Sequence, residues 1–170
     1  MPRDEPTGPD LEGVVADANA VGLRYVVIGG FSVIYHGHIR ATKDSDLLVP
    51  DGPEADQAIG RFLDRADATR LYDGKRLTRL DIVDAQHLRV NSRHGIVDLM
   101  RGGLPPLDYD TVAERAEEAV WDGQTVRVAA LLSVVGFKRL AGRPQDRQDL
   151  ADLEAIYGEL PIEPIPGVDG

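Results

Sequence analysis

Arg40, Thr42, Asp44 and Asp46 alternate along one short stretch, with Ala41, Lys43 and Ser45 between them. If the stretch is extended, all four side chains share one face, because successive residues of a strand point to opposite sides. The two carboxylates then stand roughly 7 Å apart by strand rise. Two negative charges at that spacing repel by about 2 to 3 kcal/mol at an effective dielectric near 20, so the pair calls for a cation. Oxygen-only ligands suit Mg²⁺ or Mn²⁺ better than zinc, and Mg²⁺ is commonly held by one or two carboxylates together with substrate phosphates. Alone, an Asp-x-Asp is as much at home in a turn or on a solvated edge.

Other residues add to the pair. Asp98 lies inside the apolar run Gly95-Ile-Val-Asp-Leu-Met100, where an unpartnered carboxylate would be costly to bury. It can complete a three-carboxylate site or pair with an arginine. Gly29-Gly30 follows a short apolar run, and glycines there let backbone N–H groups approach a phosphate at the start of the next helix. Ser32 can add a hydroxyl or serve as a helix-start residue. His36 and His38 flank Gly37, at a spacing that does not share a helix face, so they read as structural or substrate-adjacent. Two basic stretches, Arg70/Lys75/Arg76/Arg79 and Lys138/Arg139/Arg143/Arg147, are candidate anion patches, although on an acidic protein such stripes are mostly solvated faces.

These residues need elements to hold them. Leu11, Val14, Val15, Ala18 and Val21 recur at helical spacing, predicting a helix that ends near Gly22. Arg24 to Ile28 reads as a buried strand entering the glycine turn, with a helix opening at Phe31. Leu47 to Val49 is strand-like and stopped by Pro50-Asp51-Gly52, and Pro53 to Ala68 reads as a helix with proline in its first turn. Thr78–Val83, His87–Asn91 and Gly95–Met100 are predicted strands, the last two joined as a hairpin. From Leu107 the pattern is helical, with an extended break at 125–128 and two helices over 129–141 and 145–157. The proline-rich end past Leu160 cannot continue a helix and is expected to fray.

The chain of 170 residues, 42% of them hydrophobic, can bury one sizeable core. It has no cysteine, which removes disulfides, thiolate metal sites and thiol nucleophiles together. No apolar run is long enough to span a bilayer and no secretory signal opens the chain, so a cytoplasmic location without membrane contact is expected. A formal net charge of -10 argues against a broad basic footprint for nucleic acid.

Gly29-Gly30, then Arg40-x-Thr42-x-Asp44-x-Asp46, then Asp98 in a later strand together resemble the signature of the polymerase-β-like nucleotidyltransferase superfamily. Lys138-Arg-Leu-Ala-Gly-Arg143-Pro-Gln-Asp146-Arg-Gln-Asp149 resembles the helical motifs of its AbiEii/MenT-type toxin branch. The chain departs from the superfamily in having Ser45 where an apolar residue is usual, which suggests a less buried strand back. It also lacks a serine directly after the first glycine. The resemblance implies an α/β (α+β) fold: a mixed β-sheet flanked by helices, with a lead-in over 1–9, a core over 10–103, a C-terminal helical part over 104–160 and a loose tail over 161–170.

It further implies that Asp44, Asp46 and Asp98 hold Mg²⁺ or Mn²⁺, with Asp98 available to accept the acceptor's proton. Gly29, Gly30, Ser32, Arg40, Thr42, Lys138 and Arg143 would serve the nucleoside triphosphate, and Asp149 would organise the helical side of the cleft. The expected reaction passes a nucleoside monophosphate to an RNA, such as tRNA, or a protein acceptor, in the setting of a toxin–antitoxin or phage-defence system with a cognate antitoxin protein. The alternatives are a non-catalytic binding or antitoxin module on the same fold, and a nucleotidyltransferase acting on a small molecule such as an antibiotic.

Overall fold

The computed structural model describes residues 8–170, so most of the expected lead-in over 1–9 lies outside the described residues. In chain order the elements are α1 (Leu11–Val21), β1 (Val26–Ile28), α2 (Gly29–Tyr35), β2 (Asp44–Val49), α3 (Pro53–Arg65), β3 (Thr69–Arg70) and α4 (Arg79–Val83). They continue with β4 (His87–Ser92), β5 (Gly95–Arg101), α5 (Tyr109–Arg115), β6 (Glu117–Trp121), β7 (Gln124–Val128), α6 (Leu131–Ala141) and α7 (Pro144–Tyr157). All the strands join one mixed sheet in the order β3-β4-β5-β2-β1-β7-β6. Two pairs are parallel, β2 with β5 and β1 with β7, and the rest are antiparallel.

Alternation along the central strands divides the apolar residues between two layers. Val27, Leu47, Val49, Val97 and Leu99 pack under α1 and α3, against Val14, Val15 and Phe62. Val26, Ile28 and Leu48 face the other way, toward Val112 of α5, Val134 of α6 and Leu153 of α7. That second layer covers only part of its face. On the β4 side the face is open: Met100 is exposed, and β4 presents His87, Arg89 and Asn91 to solvent.

Several boundaries differ from the sequence expectation. Residues 78–83 form a helix rather than a strand, because Thr78 and Asp81 make a reciprocal capping box around its start. A strand would have placed Leu80 and Ile82 on one face; in the helix Ile82 is buried while Leu80 is exposed. The extended break expected at 125–128 is β7, and β6, which was not expected, pairs with it in a hairpin whose inner strand extends the main sheet beside β1. Its turn residues Asp122 and Gly123 both have positive φ, the conformation that Asp-Gly favours in two-residue hairpins.

The tail past Leu160 is also pinned rather than frayed. Ile165 is buried against Gly136 of α6 and Leu107 lies beside it, Arg139 pairs with Asp169 at 2.6 Å, and Arg115 with Glu163 at 2.7 Å. Prolines forbid a helix there but not packing.

The turn end of the β4–β5 hairpin is held by a buried acid. Asp17 on α1 meets Arg65 at 3.0 Å, Arg93 at 2.8 Å and His94 at 2.6 Å, tying α1 and α3 to the β4–β5 turn. Burial alone would raise its carboxyl, but the hydrogen bonds from His94 and Arg93 outweigh it and hold Asp17 below the usual carboxylate range.

Candidate functional site

The parallel pairing of β2 with β5 sets Asp46 directly beside Asp98, with Asp44 beside Ile96. Asp44, Asp46 and Asp98 each offer a carboxylate oxygen within 4.8 Å of the others. Strand rise alone separates the Asp44 and Asp46 backbones by more than this, so their side chains lean together. Asp98 is buried, whereas Asp44 and Asp46 are partly accessible at the margin of the helical layer.

Three acids this close cannot all be ionised without compensation. Burial, the charge of Asp44, and the hydrogen bond and charge of Asp98 push the Asp46 carboxyl up from 3.8 to about 8, with Lys138 pulling the other way. On the β4 side the compensation is direct. Arg89 Nη1 donates to Asp44 Oδ2 at 3.0 Å and to Asp98 Oδ2 at 2.5 Å, and His87 Nε2 lies 2.8 Å from Asp98 Oδ1.

On the helical side the positive groups are tied together. Lys138 of α6 is buried, its Nζ 3.0 Å from Asp146 and 2.8 Å from Asp149 of α7. Arg40 reaches across from the loop before β2 to the same Asp149, its Nε at 2.8 Å and its Nη2 at 3.0 Å. Gln145 adds a third donor to Asp149, and Arg143 caps Asp146 through its backbone N–H and Nε. Burial would raise both acids, yet the hydrogen bonds of Lys138 and Arg40 to Asp149, and of Arg143 and Lys138 to Asp146, leave each below its ordinary value.

Gly29 shows why the turn after β1 is glycine. Its φ of 66° lies in the left-handed region, and a Cβ added there would overlap the Asp46 carboxylate. A Cβ on Gly30 would likewise collide with Thr42. Gly29→Ala is therefore expected to lose more stability than the roughly 1–2 kcal/mol of a left-handed alanine alone. Gly22→Ala isolates that conformational part, since Gly22 has the same sign of φ, at 72°, and open space around it. Urea unfolding of the two variants measures the difference, and equal losses would mean that Asp46 yields freely.

The remaining expected residues are placed as follows. Ser32 is buried and donates to the Gly29 carbonyl at 2.6 Å, and Thr42 donates to the Asp44 carbonyl at 3.3 Å. Only Asp44 and Asp46 of the alternating four lie in β2 itself; Arg40 and Thr42 approach through the preceding loop. Ser45 does not open the back of the strand: it is fully buried, and its hydroxyl has no hydrogen-bond partner among the described residues. His36 is buried against the Ala129 carbonyl, and His38 pairs with Asp152. Of the basic stretch at 70–79, Arg70 is taken up by Asp73 and Arg76 by Asp67.

Arg89 and His87 are not among the site residues expected from sequence, although the sequence carries a signal for Arg89. A hairpin closed at Ser92-Arg93-His94-Gly95 sets residue 92 opposite 95 and, counting outward, Arg89 opposite Asp98.

No protein-family model matches this sequence, and no curated protein matches it. Solved structures do. The solution structure of the antibiotic-resistance factor ANT(2'')-Ia superposes with a TM-score of 0.58 at 13% identity, covering 87% of this chain and 82% of that one. A nucleotidyltransferase-like protein from Paracoccidioides brasiliensis gives 0.56 at 14% identity, over 85% and 72%. The lincosamide antibiotic adenylyltransferase LnuA, in its lincomycin-bound structure, gives 0.57 at 13% identity, over 86% and 95%. These likenesses define the class by architecture: the chain has the mixed α/β fold of nucleotidyltransferases, with an aspartate triad on its two adjacent parallel strands. Among the described residues no helix is long and apolar enough to cross a membrane.

Proposed function

We propose that this protein is a metal-dependent nucleotidyltransferase, which passes a nucleoside monophosphate from a nucleoside triphosphate to an acceptor hydroxyl and releases pyrophosphate. The observation that carries the proposal is the convergence of Asp44, Asp46 and Asp98 within 4.8 Å, next to a glycine turn that leaves no room for a side chain. The donor set is all oxygen, and burial leaves Asp46 inclined to keep a proton, a state that a divalent ion would relieve. Mg²⁺ or Mn²⁺ held by these three acids would neutralise phosphate charge as it shifts during transfer.

The chain's own groups have distinct tasks in this reading. Gly29 and Gly30 let the backbone approach the triphosphate, with Ser32 and Thr42 fixing the turn around it. Arg143, most of whose side chain is exposed, and Arg40 stand on the triphosphate side. Lys138, with two of its three donors committed to Asp146 and Asp149, keeps one for a phosphate oxygen. The acceptor oxygen attacks the α-phosphorus from the open β4 side, the bond to the β-phosphate breaks, and Asp98 takes the acceptor proton. Asp149 positions Arg40 and Lys138 and need not touch substrate.

The motif on α6 and α7 supports an RNA or protein acceptor, in the toxin–antitoxin or phage-defence setting its resemblance implies. A small hydroxyl-bearing antibiotic is the second reading. It is favoured by the coverage of LnuA, 95% of whose length is matched, which leaves little of that enzyme without a counterpart here. Incubation of α-labelled triphosphates and Mg²⁺ with total RNA, with lysate protein, and with an aminoglycoside and a lincosamide tests both. Label is expected in one acceptor class and absent with Asp44→Asn. If no acceptor takes label from any of the common nucleoside triphosphates, the proposal fails.

A further inference from the structure

The carboxylate triad has cations on two sides, and they differ in how they are held. Lys138 and Arg40 are locked on the helical side by Asp149, which is fully buried. Arg89 is different. It stands on β4 directly opposite Asp98, its side chain is 41% exposed, and among the described residues its side-chain hydrogen bonds run to Asp44 and Asp98 alone. A single nitrogen, Nη1, serves both acids.

That nitrogen lies where the two carboxylates converge. Mg²⁺ binds oxygen at about 2.0–2.1 Å, so an ion shared by Asp44 and Asp98 needs the same lone pairs and the same space. The guanidinium and the ion exclude each other. Because Arg89 lies at the open half of the sheet face, it can swing into solvent as the ion takes its place beside the buried Asp98.

We propose that Arg89 is a displaceable counter-cation of the triad, which a divalent ion must evict before the site is loaded. This inference rests on the metal-dependent reading above. Arg89 keeps the metal-free triad assembled, and it weakens divalent binding below what three bare carboxylates would give. Loading is then a competition between an ion and a tethered side chain, so it is sensitive to metal concentration in the range where the two balance.

Titration of the full chain with Mn²⁺, without nucleotide, reads this directly through the electron paramagnetic resonance signal of the free ion. Arg89→Gln, which removes the charge and keeps some polarity, is expected to bind Mn²⁺ at least about tenfold tighter than the unmodified chain. Arg89→Lys, whose single ammonium lacks the guanidinium fork, should fall between them. In the unmodified chain the Arg89 Nε–Hε resonance, assigned by its loss in Arg89→Lys, should move on saturation with Mg²⁺.

Equal or weaker Mn²⁺ binding by Arg89→Gln, with the unmodified chain still binding, overturns the inference and leaves the metal site standing. So does an Arg89 resonance that ignores saturating Mg²⁺, a readout that holds even if Arg89→Gln fails to fold. Absence of Mn²⁺ binding in every variant, with nucleotide present as well, overturns the metal reading and the inference together.

Discussion

Asp46→Asn is expected to abolish metal-dependent transfer, by at least about a hundredfold, while making the metal-free fold less sensitive to alkali. In the proposed reading Asp46 is a direct ligand, and even groups one step removed from a metal typically cost 10- to 100-fold. The stability effect comes from the crowding that pushes this carboxyl up to about 8. A group whose folded-state value is raised binds its proton more tightly in the folded chain. Its contribution to stability is complete below the ordinary value of 3.8, declines as pH rises, and is gone once about 8 is passed.

Metal-free protein should therefore melt at a lower temperature near pH 9 than near pH 6, and part of that drop should vanish in Asp46→Asn, whose amide does not ionise. Added Mg²⁺ should restore the unmodified chain at high pH and leave the variant nearly unmoved. Melting curves at both pH values, with and without Mg²⁺, are sufficient. A variant whose pH dependence matches that of the parent would show that Asp46 is not the group under strain.

The second large effect is structural. Asp149→Ala should destabilise the fold by about 3–5 kcal/mol, the usual cost of removing one partner from a buried ion pair. Asp149 is fully buried and accepts from Lys138, Arg40 and Gln145, so its loss leaves Arg40 without its acidic partner and Lys138 with Asp146 alone. Adding Arg40→Met should recover part of the loss, because the double variant no longer buries an uncompensated charge. Urea midpoints with an unchanged slope measure both quantities. A loss below about 1 kcal/mol would place the network among surface ion pairs. The linkage here has the opposite sign to that of Asp46: Asp149 is held below its ordinary value of 3.8, so its contribution is present above that value and is lost as pH falls through the depressed one.

What could be read in advance follows the range of the interactions. Strong local periodicity exposed α1, α3 and the β4–β5 hairpin, and an acid within an apolar strand singled out Asp98. The seven-stranded sheet itself was less visible. β6 was hidden because Glu117 and Glu118 are exposed and its alternation is weak; the Asp122-Gly123 turn was its clearest mark. The helix α4 reads as a strand in sequence because five residues show little periodicity, and its start is set by one side-chain cap. The partnership of Arg40 with Asp149 had no local trace at all, being made by docking of the last helix. Arg89 was within reach through hairpin register, which needs the turn to be placed to the residue.

The Arg40–Asp149 pair joins positions 109 residues apart. As the polypeptide emerges from a ribosome, the strands bearing all three acids are complete well before the helix that neutralises Arg40 and Lys138 exists. The nascent chain can therefore build its acidic corner early, but its basic half acquires a fixed geometry only when α7 docks. The clamp thus arrives as a single late event that waits for α7, and a ribosome stalled before residue 144 would carry the triad without the clamp that faces it.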